Sequence, residues 1–245
     1  MRDIARYTDN YMEIPFEEYQ IRYRRKKVIE IVEKYPHDRI LEVGCGLRPL
    51  FFDFDDYREM TVVEPSDLFV NNALKSDRLS PKVMVKKGFL EAILGELENN
   101  EYDYIVVTSL LHEVEDPTKL LKTLKSLCSN STVIHIVVPN AFSIHRLIAY
   151  KMGMIDDVHN QSMMQKLMQQ NSTFDLCSLP ELVNAMEFEV LEKGSFFPKF
   201  FTHKQMQKMM DQGIISEEVL DGMYALEEYL PEYGSEIYIN IMLKR

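Results

Sequence analysis

An α/β fold built on a parallel sheet is predicted by three observations on this 245-residue chain. Short apolar runs alternate with stretches of helical spacing, which implies parallel strands with both faces covered. Two of those runs, residues 102–108 (Tyr-Asp-Tyr-Ile-Val-Val-Thr) and 132–138, read as strongly buried strands. Residues 39–43 lead straight into Gly44-Cys45-Gly46, and residues 60–64 end on Glu64, 20 residues after Gly44. A strand entering a glycine turn, followed by a strand ending in a carboxylate, builds a nucleoside-binding crevice. Glycine lets the backbone approach a ligand closely, and the acid can accept hydrogen bonds from both ribose hydroxyls.

The elements follow in chain order. Residues 15–35 set Phe16, Tyr19, Tyr23, Val28, Ile31 and Val32 roughly on one helical face, and Tyr35-Pro36-His37-Asp38 stops that helix. Residues 1–38 are thus an N-terminal helical segment, with Tyr23-Arg24-Arg25-Lys26-Lys27 read as a solvated helix face. Strands are expected at 39–43 and 60–64, with an irregular or short helical stretch at 49–56 between them. Ser66 or Asp67 can cap the next helix. A short strand at 82–86, a helix over 89–97 and the buried strand at 102–108 come next. The spacing of Leu120, Leu121, Leu124 and Leu127 predicts a helix over 117–127 before the strand at 132–138, which Pro139-Asn140 closes. The tail leaves the alternation, with a helix at 179–185 and strands at 188–194 and 236–243. Residues 141–176 and 196–233 exceed ordinary connections, so they are expected to be mainly helical insertions that form a lid over the carboxyl ends of the strands. One domain, 1–245, holds all of this.

Composition narrows the function classes. A net charge of −11 and a pI near 5.1 argue against nucleic acid as a partner, which would need clustered Lys and Arg on one face. No run approaches the ~18 apolar residues of a membrane span and the start lacks a signal-peptide core, so a cytoplasmic protein with no membrane partner is expected. Cys45, Cys128 and Cys177 are spaced for neither a disulfide framework nor a metal site. The 15 methionines, many of them between Met152 and Met223, read as adaptable core or adaptable ligand-binding surface.

Two cofactors use such a crevice. A dinucleotide needs a third glycine, and that position falls on Pro49, which has no N–H to offer a pyrophosphate. Glu42 stands two residues before Gly44; a carboxylate there would repel a pyrophosphate and suit a ligand carrying an ammonium and a sulfonium. With Glu42-Val43-Gly44-Cys45-Gly46 and Glu64, the chain resembles the class I S-adenosylmethionine-dependent methyltransferases.

That resemblance implies a Rossmann-like sheet of seven strands, mostly parallel with the last inserted antiparallel, and S-adenosylmethionine as cofactor. It implies cofactor contacts from Glu42, Gly44, Cys45, Gly46, Glu64 and Pro65, from Gly88, Phe89 and Leu90 beside adenine, and from Thr108 and Ser109. His112, in Thr108-Ser109-Leu110-Leu111-His112-Glu113, resembles the family's fourth motif with the His-Glu order reversed, and no second histidine completes a zinc motif.

Methyl transfer needs a base only if the acceptor must lose a proton; His112 is the first candidate and His145 the second, with Glu113 and Arg146 as substrate contacts. Each histidine can equally be a loop residue bonded to backbone. Val138-Pro139-Asn140-Ala141-Phe142-Ser143-Ile144-His145-Arg146 resembles small-molecule methyltransferases of bacterial surface-polysaccharide and secondary-metabolite clusters, although Asn171-Ser172-Thr173-Phe174-Asp175-Leu176 lacks their Gly-His-x-x-x-Tyr element. Arg146, Lys151, Lys199, His203 and Lys204 bring positive charge to the lid, which would suit an anionic small molecule. A sugar, sugar nucleotide or capsule-decoration precursor, methylated at O or N by a monomer or homodimer, is the favoured reading. A protein or tRNA methyltransferase and a non-catalytic S-adenosylmethionine-binding regulator are the alternatives.

Overall fold

The computed structural model describes residues 3–97 and 101–244, so the first two residues of the N-terminal segment lie outside it. Seven strands form one sheet: β1 (Arg39–Val43), β2 (Glu59–Glu64), β3 (Val83–Lys87), β4 (Tyr104–Thr108), β5 (Val133–Pro139), β6 (Phe188–Phe196) and β7 (Glu236–Leu243). Their spatial order is β3-β2-β1-β4-β5-β7-β6. The first five are parallel, and β7 pairs antiparallel with both β5 and β6. This is the Rossmann-like sheet that the sequence suggested, with the terminal strand inserted between its two predecessors. The chain builds outward from β1 in one direction and returns to build in the other from β4, so the switch point lies between β1 and β4, where open α/β sheets bind ligands.

Alternation along the central strands feeds two apolar cores. Leu41, Val43, Ile105, Val107, Ile134, Ile136 and Ile239 face Leu120, Leu121 and Leu124 of α4 (Pro117–Ser126) and Leu179 and Val183 of α7 (Ser178–Ala185). Ile40, Val62, Tyr104, Val106 and Val137 face the opposite way, toward Tyr23, Val28 and Val32 of α2 (Glu17–Val32). Met206 of α8 (His203–Asp211) and Leu220 and Tyr224 of α9 (Glu217–Ala225) join that second layer. Two-sided burial is what drives the near-continuous apolar composition of these strands.

Several expectations are corrected. The N-terminal segment holds two helices, α1 (Ile4–Met12) and α2, because Asp3 caps the first with a side-chain bond to the Arg6 amide. The run Tyr23 to Lys27 is not a solvated face: Tyr23, Arg24, Arg25 and Lys27 are buried. Arg24 meets Glu236 and Glu17, Arg25 meets Glu42, and Lys27 meets Glu30 and Glu227, so each cation is buried with a carboxylate. Instead of a helix, residues 89–97 carry two single 3-10 turns, Leu90–Ala92 and Leu94–Glu96, with Gly95 weakening any longer helix.

The long insertions also divide differently from the expected shared lid. Helices α8 and α9 in 196–233 cover a sheet face, drawn there by Tyr23, whose ring stacks 4.3 Å from Phe197 and 5.4 Å from Tyr224. Residues 141–176 carry only α5 (Ile144–Lys151) and α6 (Met163–Leu167); the rest is loop, held by the Arg146 guanidinium, which donates to the carbonyls of Val158 and Asn160 and to Gln165. Among the described residues no helix is long and apolar enough to cross a membrane.

On β5, one position of the second core is His135 instead of an aliphatic residue. Its Nδ1 lies 2.7 Å from Asn240 Oδ1, and complete burial lowers its pKa to about 4. The unfolded chain would protonate this ring near pH 6.5 and the folded chain only near 4, so the unfolded state binds more protons between those values. Acidification from pH 7 to below 4 should therefore remove roughly 3 kcal/mol through this residue alone. Urea unfolding of the parent and of His135→Gln at both ends of that range should show the variant losing less stability on acidification; equal losses would contradict the assignment.

Candidate active site

The glycine turn leaves β1 at the switch point. Gly44 and Gly46 have φ of +78° and +58°, a left-handed conformation that glycine adopts at little cost. The Gly44 amide bonds the Val63 carbonyl at 2.8 Å, which ties the turn to β2. Beneath the turn, Glu42 is completely buried: its Oε1 is 2.6 Å from Arg25 Nη2, and its Oε2 accepts the Leu50 amide at 2.8 Å. Arg25 also donates through Nε to the Arg48 carbonyl at 2.9 Å. One buried ion pair therefore holds the Arg48–Leu50 part of the loop that follows β1, and Arg25 also reaches the Cys45 carbonyl at 3.4 Å.

The loop does not become a helix. Pro49 caps a three-residue 3-10 turn, Leu50–Phe52, before the chain moves on to β2. A pyrophosphate would need the N-terminus of a full helix here, with its free amides and dipole. None is built.

Glu64 closes β2 and is 4% exposed. Its Oε2 accepts from the Gly46 amide at 3.1 Å and its Oε1 from the Ser66 amide at 2.8 Å. Burial raises its pKa, opposed by those two amide bonds. Each carboxylate oxygen keeps a further lone pair, so a vicinal diol can still be received. Across the cleft, β4 ends in Thr108, and Ser109 adopts φ +56° with its amide on the Val137 carbonyl. Left-handed backbone at a non-glycine residue is a strained conformation of the kind that clusters at functional sites. The Ser109 hydroxyl is buried without a hydrogen-bond partner.

These parts enclose a cleft of about 650 Å³, including its open mouth. Of the residues that the sequence singled out, Gly44, Cys45, Gly46, Glu64, Pro65, Thr108, Ser109 and Glu113 line it. Burial and the nearby acids Glu42 and Glu64 push the Cys45 thiol well up, which leaves it a small packing residue without nucleophilic character. Glu42, Gly88, Phe89, Leu90, His112, His145 and Arg146 lie outside the lining. Leu90 is core and Phe89 is 38% exposed. His112 is buried, with Nε2 3.9 Å from Glu113 Oε1, and its carbonyl accepts the amides of Asn171 and Ser172. Arg146 has its donors engaged by the loop described above.

Sequence reasoning missed one wall. Ile4, Tyr7 and Tyr11 of α1 line the cleft, and the Tyr11 ring sits edge-on to Phe69 of α3 (Asp67–Leu74) at 5.5 Å. The signal was present as apolar and aromatic residues at positions 4, 7 and 11 behind a capping Asp3. Arg24 and Arg25 line the cleft as well, from the run that reads as a surface face.

The methyltransferase domain family matches residues 16–211 of this chain. The chain belongs to that family. It is an S-adenosylmethionine-dependent methyltransferase, and no curated protein sequence matches it. Among solved structures it is similar to a putative sarcosine dimethylglycine methyltransferase from Galdieria sulphuraria, with TM-score 0.62 and 12% identity over 93% of this chain and 88% of that one. It is similar to the plantazolicin methyltransferase BpumL in complex with SAH, with TM-score 0.55 and 18% identity over 100% and 90%. It is also similar to the [4+2]-cyclase SpnF, with TM-score 0.60 and 15% identity over 90% and 79%. At these identities the likeness is one of fold, and a cyclase among the neighbours shows that the fold does not dictate one reaction.

The cofactor fits the residues present. The methyltransferase offers a carboxylate with lone pairs for a ribose diol, a close-approach glycine turn, and an unsatisfied Ser109 hydroxyl on the opposite wall. Its weakest point is the Arg25–Glu42 pair. Arg25→Ala leaves a buried carboxylate without its cation, which typically costs ~3–5 kcal/mol. Chemical denaturation should register a loss of that size together with loss of cofactor binding; a loss under ~1 kcal/mol would show that the pair does not hold the turn.

Proposed function

We propose that this methyltransferase transfers a methyl group to oxygen or nitrogen of a small molecule received beside the Gly44 turn, and that the acceptor carries an anionic group. The observation that carries the reading is the joint position of Glu64, the left-handed Gly44–Gly46 turn and the Thr108–Ser109 corner around one cleft. A sugar, sugar nucleotide or capsule-decoration precursor is favoured by the resemblance of the Pro139 to Arg146 run, and the net charge of −11 speaks against an RNA acceptor.

S-adenosylmethionine supplies an electrophilic methyl on a sulfonium. The chain's own task is to hold the acceptor in line with it and keep water out, which accounts for most of the rate in a displacement. Glu64 would anchor the ribose, Gly44, Cys45, Gly46 and Pro65 would face the rest of the nucleoside and methionine, and Thr108 and Ser109 would lie along it. Phe89, beside Gly88 and Leu90, would give adenine an apolar cover. Glu42 acts from behind the turn by fixing its shape. His112 is the first candidate for taking a proton from the acceptor, acting beside Glu113, which opens into the cleft. The α1 wall and residues 141–176 would form the lid.

Calorimetry should show S-adenosylmethionine binding and no NAD binding. Glu64→Ala should weaken the former by on the order of 10- to 100-fold, the size of a lost charged hydrogen-bonding group. Tight NAD binding would end this reading. With an acceptor in hand, His112→Ala should lower turnover by roughly 10²-fold or more while cofactor affinity holds, if it is the base. Unchanged turnover would leave His112 a structural residue.

A further inference from the structure

The glycine turn is overlain by α1, a helix that precedes the family-matched segment 16–211. A Cβ added to Gly46 would stand 3.8 Å from the Tyr11 hydroxyl. With the ~1.5 Å bond to that Cβ included, Gly46 and the hydroxyl are within roughly 5 Å of each other. A ligand atom held between two surfaces needs roughly 3.5–4.0 Å to each, or about 7 Å in all. Tyr11 therefore stands where a ligand resting on Gly46 would lie. Its ring is edge-on to Phe69 at 5.5 Å and tilted against Tyr7 at 5.8 Å, and its hydroxyl donates to Glu17 Oε1 at 3.3 Å.

The attachments of α1 are those of a hinged element. Thr8 is its one buried residue, so modest packing and a few polar bonds hold a helix too short to be stable alone. Thr8 Oγ1 lies 2.9 Å from Ser66 Oγ in the interior, and the Tyr7 hydroxyl donates to Glu113 Oε1 at 3.3 Å. Asn10 donates to the Leu167 carbonyl at 3.1 Å, and the Asp3 amide to Gln169 Oε1 at 3.1 Å. At the other end the chain is pinned at Phe16, which is 2% exposed and whose amide donates to Gln207 Oε1 at 2.8 Å. Phe16 has φ +64°, uncommon for a bulky residue, and Pro15 brings no N–H to tie the connection down. Residues 13–15 thus join a fixed pivot to a lightly held helix. The Thr8–Ser66 contact closes beside the cofactor site, because the Ser66 amide donates to Glu64 Oε1 at 2.8 Å.

We propose that α1 is a gate on the cofactor site, closed in the free protein with Tyr11 over Gly46 and Thr8 as its latch, and opened about residues 13–15 to admit a nucleoside. The inference rests on the cofactor reading above. A site that is competent only when open binds with its affinity reduced by the open fraction, so loosening the latch raises that fraction and speeds association. Losing one hydrogen bond of ordinary strength multiplies the open population about 5-fold. A contact made to the bound ligand acts in the opposite sense, since its loss speeds dissociation and weakens binding. Because the same helix carries Tyr7 to Glu113, movement of the gate also reshapes the acceptor end of the cleft.

The test follows S-adenosylhomocysteine binding to the full chain by surface plasmon resonance, with amide hydrogen exchange on the free chain. Thr8→Val and Tyr11→Ala should each bind about 5-fold faster than the parent and no more weakly. Asp9→Asn, at an exposed position of the same helix, should match the parent. Amides of residues 7–12 should exchange at least 10-fold faster than those of α2, and faster again in Thr8→Val. Unchanged or slower association, or weaker binding, in either variant overturns the gate, as do α1 amides protected as well as those of α2. A parent that binds no S-adenosylhomocysteine ends the cofactor reading instead, and the exchange measurement still decides whether α1 opens.

Discussion

Arg25 and Glu42 meet 2.6 Å apart in the interior, one on the helix that covers the sheet and the other on its central strand. Each is nearly or wholly removed from solvent, so neither is tolerable without the other. Their hydrogen bonds reach outward, to the Leu50 amide from Glu42 and to the Arg48 carbonyl from Arg25. Through those bonds the pair shapes the loop between β1 and β2, and that loop sets where the Gly46 amide meets Glu64. The helix, the strand, the glycine turn and the Glu64 carboxylate are thus one mechanical unit.

That arrangement changes the reason the cleft suits a sulfonium nucleoside. A carboxylate before the first glycine would be expected to select by charge, repelling a pyrophosphate. Arg25 pairs with Glu42 and offsets its charge in part, and the shape of the loop adds a second bar to a pyrophosphate. The loop turns through a single 3-10 turn at Leu50–Phe52, so no helix N-terminus faces the ligand. On the proposed reading, the remaining recognition would come from hydrogen-bond acceptors at Glu64 and close backbone approach at Gly44.

The sheet was legible because its strands are buried on both faces and their apolar runs are hard to mistake, and because the spacing from Gly44 to Glu64 reports a strand-turn-strand unit. Helix α4 followed from leucine spacing. What escaped were features set by partners distant in sequence. Arg24 and Arg25 read as surface because their carboxylates, Glu236 and Glu42, lie 212 and 17 residues away. The α1 wall was missed because a nine-residue helix has little propensity signal of its own and is held by packing on the cleft. Lys199 looked like one lysine among several; only the fold buries it beside Gln20. In each case local sequence shows the residue type, and the tertiary contact decides its role.

The central claim is that one locked glycine turn and one carboxylate position the nucleoside of the cofactor. A crystal structure of the chain grown with S-adenosylhomocysteine tests it most directly. The account requires both ribose hydroxyls within hydrogen-bonding distance of Glu64, the sulfur alongside Gly44 and Ser109, and the Arg25–Glu42 pair intact beneath. A nucleoside lying elsewhere, or a Glu64 that makes no contact with the ribose, would contradict it.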